Sequence, residues 1–185
     1  MAGKKVKGSL LLDYVRMIRA NRDKEWERYL SGEDWEIINS RIIPAAWYPF
    51  ETFVRAGMAV FYELAGGDLS ISRAWGKTSM ENLIKNIYKS VICDKDPMKA
   101  LERFILLRRQ FFNFSEQEFE RVSDKHARIF FDYGPDRYGG DPYAAQFEGG
   151  VETIVEIACG FTPKIISSVK KQNGSNDIVF DITWA

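Results

Sequence analysis

Apolar residues recur every three or four positions in the first half of the chain and at alternate positions in much of the second. The stretch "GSLLLDYVRMIRAN" puts Leu11, Tyr14, Val15 and Ile18 on one face, the signature of an amphipathic helix. "DKEWERYL" and "GEDWEIINS" predict two short helices broken at Ser31-Gly32. Pro44 and Pro49 bracket "AAWYP", which has to be a non-helical connection or the first turn of a helix. "PFETFVRAGMAVFYELAGG" then predicts a helix from about Pro49, with Gly66-Gly67 as its stop. "DLSISRAWGKTSMENLIKNIYKSVI" follows, with a short helix ahead of the main one. Asp96 caps and Pro97 opens the next helix, "DPMKALERFILLRRQFFNF".

Beyond residue 116 the period changes. "QEFERVSDKHARIFFDY" predicts two strands joined near Asp124-Lys125, the second of them strongly β-forming. A glycine-rich loop leads into the helix "DPYAAQFEGGVETIVEIACG", opened by Asp-Pro and closed by Gly160. "PKIISSVKKQ" and "DIVFDITW" form a hairpin about "NGSN". In its second strand Ile178, Phe180, Ile182 and Trp184 alternate with Asp181 and Thr183, so one face is buried. Helices followed by ββαββ predict an α+β fold, with a helical half packed on a four-stranded antiparallel sheet. No linker interrupts the 185 residues, which predicts one domain over 1–185.

Charge narrows the function. Lys+Arg and Asp+Glu number 26 each, a balance that argues against a nucleic-acid binder. The N-terminal stretch is basic and then apolar, but Asp13, Arg16 and Arg19 interrupt it, so neither a signal peptide nor a membrane span is expected. Cys93 and Cys159 match no metal spacing and read as two reduced, buried thiols of a cytoplasmic protein. Aromatic residues make up 14% of the chain and crowd between Trp47 and Phe114. Such side chains fill cores and also line apolar pockets. The candidates for a pocket between the helical half and the sheet are Trp47, Phe53, Phe61, Trp75, Tyr88 and Phe104.

Several other stretches bear on chemistry. In "RIFFDYGPDRYGG", Tyr133 and Arg137 stand at the mouth of a loop, where a phenol and a guanidinium can clamp an anion. "AGGD" and "YGGD" lack the spacing and the lysine of a phosphate loop, and no G-x-S-x-G elbow exists. Glu148, Glu152 and Glu156 share a helical face that reads as solvated, since no histidine joins them. Arg108-Arg109, near Phe104, Phe111 and Phe112, read as the edge of a packed helix or as a partner for an anionic aromatic ligand. Gly149-Gly150 predicts close approach to another backbone, that of a dimer partner or of the sheet. No catalytic set is present, so no enzyme activity, cofactor or metal is expected.

Three stretches, "IIPAAWYPFETF", "FERVSDKHARIFFDYGPDRYGG" and "QFEGGVETIVEIACGFTPKIISSVKKQNGSNDIVFDITW", together resemble a superfamily. It joins haem-NO-binding (H-NOX) domains, 4-vinyl-reductase-type domains and TRAPP trafficking subunits, and the chain is most similar to uncharacterised bacterial relatives of these. In the haem-binding branch a Tyr-x-Ser-x-Arg motif holds the haem propionates. Tyr133 and Arg137 match it, and Pro135 replaces the serine. That branch carries its iron-ligating histidine on the helix before the first hairpin. Here that helix, "MKALERFILLRRQFFNF", has none. The sole histidine, His126, falls in the hairpin turn, where it is expected to be exposed. The cysteines that can bind metal in the 4-vinyl-reductase branch have no counterpart in "SSVKKQNGSNDIVF", and nothing matches the acylation site of the trafficking subunits.

The resemblance therefore implies a haem-less sensory or signalling domain that binds a small apolar or anionic molecule. Its rivals are an interaction protein with a collapsed pocket, and haem held by some ligand other than histidine. A homodimer is expected, with "DIVFDITW" as an edge strand.

Overall fold

The apolar face of the first helix is buried as its spacing requires: Leu11, Tyr14, Val15 and Ile18 are all withdrawn from solvent in α1 (Gly8–Ala20). The computed structural model describes residues 3–86, 95–114, 117–132, 140–172 and 175–185. The chain forms two compact units, Met1–Asp68 with Arg108–Ser115 and Leu69–Leu107 with Glu116–Ala185.

In the first unit β1 (Lys5–Lys7) pairs antiparallel with β2 (Trp47–Pro49), Val6 opposite Tyr48, and Val6 also bridges to Phe112. The "AAWYP" connection thus contains a short strand. "DKEWERYL" holds only a 3-10 turn, Trp26–Arg28. Helix α2 (Gly32–Asn39) opens with a capping box in which Ser31 and Asp34 satisfy each other's backbone N–H. Helix α3 (Phe50–Ala65) ends at Gly66, whose φ of +59° is the left-handed conformation open to glycine. Asp34 ties the two helices together. Fully buried, it accepts from Arg55 Nε at 2.6 Å and from the same guanidinium at 2.8 Å. Burial alone would raise its pKa. The bonds from Arg55, the Ser31 backbone, Thr52 and the Ser31 hydroxyl outweigh that and hold it at about 2.

Among the described residues the second unit is built on one sheet and three helices. Strands β3 (Gln117–Ser123), β4 (His126–Asp132), β5 (Lys164–Gln172) and β6 (Ser175–Thr183) form an antiparallel sheet in the order β3-β4-β6-β5. β6 is therefore interior, not an edge, and the edges are β3 and β5. Helix α4 (Leu69–Asn86) is continuous, without the separate short helix expected before it. Helix α5 (Pro97–Arg108) follows Asp96, whose carboxylate accepts from Met98 N at 3.0 Å. Helix α6 (Gly140–Cys159) packs with α5 over one sheet face, burying Leu101, Phe104, Ile129, Phe147, Ile154 and Phe180 in a common core.

Gly76 of α4 and Gly149 of α6 set the distance between those helices. A Cβ on Gly76 would overlap the carbonyl of Gln146, and one on Gly149 the carbonyl of Arg73. The close approach foreseen for Gly149-Gly150 is therefore to α4 of the same chain, not to the sheet or to a second copy. The glutamates beside it are not a solvated face. Glu152 is buried and pairs with Arg73 at 2.9 Å and with Lys77, while Glu148 takes the other arm of Arg73 at 2.9 Å.

Gly149→Ala should destabilise the protein by about 3 kcal/mol, because backbone stands where the methyl would go. Gly150→Ala should stay within about 1 kcal/mol of neutral, since its methyl would meet only the flexible end of Met80. Thermal melts of the two variants separate these outcomes. Asp34 generates a prediction in acid. Its folded pKa lies below the unfolded value of 3.8, so its contribution is complete above that value and drains away as the pH falls towards about 2. With the exposed side of Arg55 screened by solvent, the loss should be about 1–2 kcal/mol and absent from Asp34→Asn, as read by denaturant melts between about pH 5 and pH 2.

Candidate functional site

The interior of the second unit is aromatic. Phe147 of α6 lies at its centre, 4.4 Å from the ring of Phe131, 4.8 Å from Phe180 and 6.0 Å from Phe104. Phe131 also meets Phe180 at 5.6 Å and Tyr143 at 6.4 Å. Phe104, Phe131, Phe147 and Phe180 project from four different elements, and a mixture of stacked, edge-on and tilted contacts lets the four rings share one space.

The pocket candidates fall in both units. In the first, Phe53 is buried against Tyr14 and Phe112, and Phe61 is buried beside Tyr62. Trp47 is 40% exposed, with the Lys7 ammonium 4.0 Å from its ring centre. In the second, Trp75 is half-buried on α4 and Phe104 is buried on α5 against Phe147. Tyr88, Tyr133 and Arg137 lie outside the described residues, as does Cys93. Arg108 stacks over Phe112 at 5.1 Å. Cys159, half-buried at the end of α6, donates its thiol to the Val155 carbonyl.

The polar chemistry of the sheet is on its other face. Ala127, Ile129 and Phe131 of β4 point into the core, so His126, Arg128 and Phe130 point the opposite way. There His126 Nε2 lies 2.9 Å from Asp181 Oδ1 of β6, and Arg128 donates to the same oxygen at 2.9 Å and to Glu120 of β3 at 3.0 Å. Desolvation pushes the Asp181 pKa up, but the His126 and Arg128 bonds prevail and lower it. His126 is thus half-buried at the first position of a strand and engaged, where an exposed turn residue was expected. Two clusters escaped the sequence reading: this one, and Arg73–Glu148–Glu152–Lys77. In each, the partners are distant in sequence. The paired glutamates at i, i+4 were visible, but the basic residues that answer them were not.

No protein-family model matches the chain, and no curated protein matches it. Solved structures do. The unliganded Fe(II) H-NOX protein of K. algicida aligns with a TM-score of 0.63 at 13% identity, covering 97% of this chain and 96% of that one. An oxygen-binding H-NOX domain related to soluble guanylate cyclases aligns at 0.62 and 12%, covering 96% and 94%. A variant of the T. tengcongensis H-NOX domain aligns at 0.61 and 12%, covering 96% and 97%. The fold of this chain is that of H-NOX domains, mixed α and β with the order expected from the sequence. Among the described residues no helix is long and apolar enough to cross a membrane.

The placements separate core aromatics from surface ones. Phe104→Ala should cost about 3–4 kcal/mol, because it opens a cavity beside Phe147. Trp47→Ala should cost under about 1 kcal/mol, little more than its contact with Lys7. Chemical denaturation of both variants checks the difference.

Proposed function

We propose that this chain is a cytoplasmic, haem-less sensory or signalling domain that binds a small apolar or anionic molecule. The observation that carries the reading is the situation of His126 within an H-NOX fold. Haem iron in such a site calls for an axial donor, commonly a neutral imidazole. The only histidine of the chain faces away from the aromatic core and is held by Asp181. Among the described residues no three His, Cys, Asp or Glu side chains gather where they could hold a metal ion. The donors described here do not fit histidine-ligated haem, and we assign no step to that group. Tyr133 and Arg137 remain our choice for the anion clamp, and Trp47, Phe53, Phe61, Trp75, Tyr88 and Phe104 are the aromatic residues to probe for the pocket. The whole chain, 1–185, is taken as one functional domain, and no catalytic role is assigned to it.

A specific observation favours a second reading. Phe104, Phe131, Phe147 and Phe180 already occupy the interior of the second unit with their own rings. In that reading the pocket is collapsed and the protein works through contacts with partners or as a homodimer. The features first invoked for self-association, Gly149-Gly150 and β6, are satisfied within the chain, so a dimer would have to use other surfaces. Haem on a non-histidine ligand is the third reading.

One set of measurements separates the three. The purified protein should be colourless before and after incubation with haemin, and a Soret band at stoichiometric haem would overturn the haem-less reading. Native mass spectrometry should show a co-purified small molecule that Arg137→Ala loses without a change in the melting of the empty protein. No such molecule, together with no saturable binding of a fatty acid or apolar dye, would favour the collapsed pocket.

A further inference from the structure

The two edges of the sheet are built differently. β3 is seven residues long and its pairing with β4 is irregular between Arg121 and Ser123. Such a bulge spoils an edge for further pairing. One of its charges, Glu120, is already taken by Arg128. β5 is nine residues long and pairs with β6 one for one from Lys164–Thr183 to Gln172–Ser175, with no shift. In an antiparallel ladder every second residue of an edge strand turns its N–H and C=O outward. Among the described residues no backbone hydrogen bond reaches β5 from any element except β6.

The side chains of β5 define what could lie against it. Ile166, opposite Asp181, belongs to the outer sheet face and is 52% exposed. Val169, opposite Ile178, belongs to the helix-covered face and is 44% exposed, so that cover stops short of the edge. An added strand would find an aliphatic neighbour on each face, with small Ser167 and Ser168 between them. The sequence of β5, KIISSVKKQ, has three lysines and no acidic residue. Two copies side by side would set two lysine-bearing strands together, neither with an acidic residue of its own. Self-pairing is thereby opposed, and an acidic strand is favoured.

We propose that β5 is a docking edge for an extended acidic segment of a partner protein, added antiparallel or parallel as a fifth strand. Backbone bonds would give the affinity, Ile166 and Val169 the apolar contacts, and the lysines the choice of an acidic partner. This surface is separate from the proposed ligand site, and the inference stands whether or not that site binds a molecule.

The test uses the full chain and a capped peptide of about eight residues alternating glutamate and valine. Residue-resolved amide exchange should show saturable slowing at β5. A lysine–valine peptide and a glutamate–valine peptide interrupted by prolines should give none, the second because each proline removes a backbone N–H donor from the ladder. Lys164→Glu should weaken binding about tenfold, while Glu118→Lys on the opposite edge should not weaken it. No saturable binding of the peptide would overturn the proposal, as would protection at β3 in place of β5. Equal protection by polyglutamate or duplex DNA would mean an unspecific basic surface. Protection that rises with protein concentration without peptide would mean that β5 pairs with a second copy. Either result would also overturn it.

Discussion

The approach of α4 to α6 is the constraint on which the second unit depends. Helices carrying ordinary side chains stand about 8–10 Å apart. Gly76 and Gly149 remove the side chains at the crossing, so each backbone rests on the carbonyls of the other. That closeness brings Arg73 and Lys77 within reach of Glu148 and Glu152. Burying Glu152 is tolerable only because two cations meet it: desolvation raises its pKa, and the bonds from Lys77 and Arg73 more than reverse the effect. Two positive and two negative groups balance in the quartet. Glycine contact and ion quartet thus specify the same register, one by steric exclusion and one by charge.

With α6 fixed on one side by α4, its other side meets the sheet. Phe147, Val151, Ile154 and Val155 bury against β4 and β6. The helix is therefore shared between a polar contact and an apolar one. The cost of Gly149 to the isolated helix is recovered by the contact that a larger residue there would forbid. The same economy explains why Glu152 cannot be read as surface: on a helix packed on two sides, a charged residue is buried wherever a basic partner is supplied.

Periodicity and caps made most elements legible. The faces of α1 and β6, the Asp-Pro opening of α5 and the Gly66 stop of α3 follow from local chemistry, and local chemistry is what a sequence displays. Strand order was less legible. Alternation at Ile178, Phe180 and Ile182 announces one buried face, but Val179, on the other face, is fully buried too, and β6 is an interior strand. The aromatic richness of the middle of the chain was plain, yet spacing alone does not distinguish a ring that fills a core, such as Phe104, from one half in solvent, such as Trp47. Nor does it reveal pairs like Arg73 and Glu152, separated by most of the second unit's length.

The orientation of His126 turns on the same two-residue period. Ala127, Ile129 and Phe131 must face the helices, because that is where their apolar area is buried. Strand geometry then sends His126 and Arg128 to the outer face. A one-residue slip of β4 would exchange the faces, bringing His126, Arg128 and Phe130 into the core and Ala127, Ile129 and Phe131 out of it. The pairing of His126 with Thr183, Ile129 with Phe180 and Phe131 with Ile178 excludes that slip, and the Asp181 carboxylate, gripped by both His126 and Arg128, adds an electrostatic lock to the steric one. The histidine is outside the core for reasons of packing, fixed before any question of ligand arises.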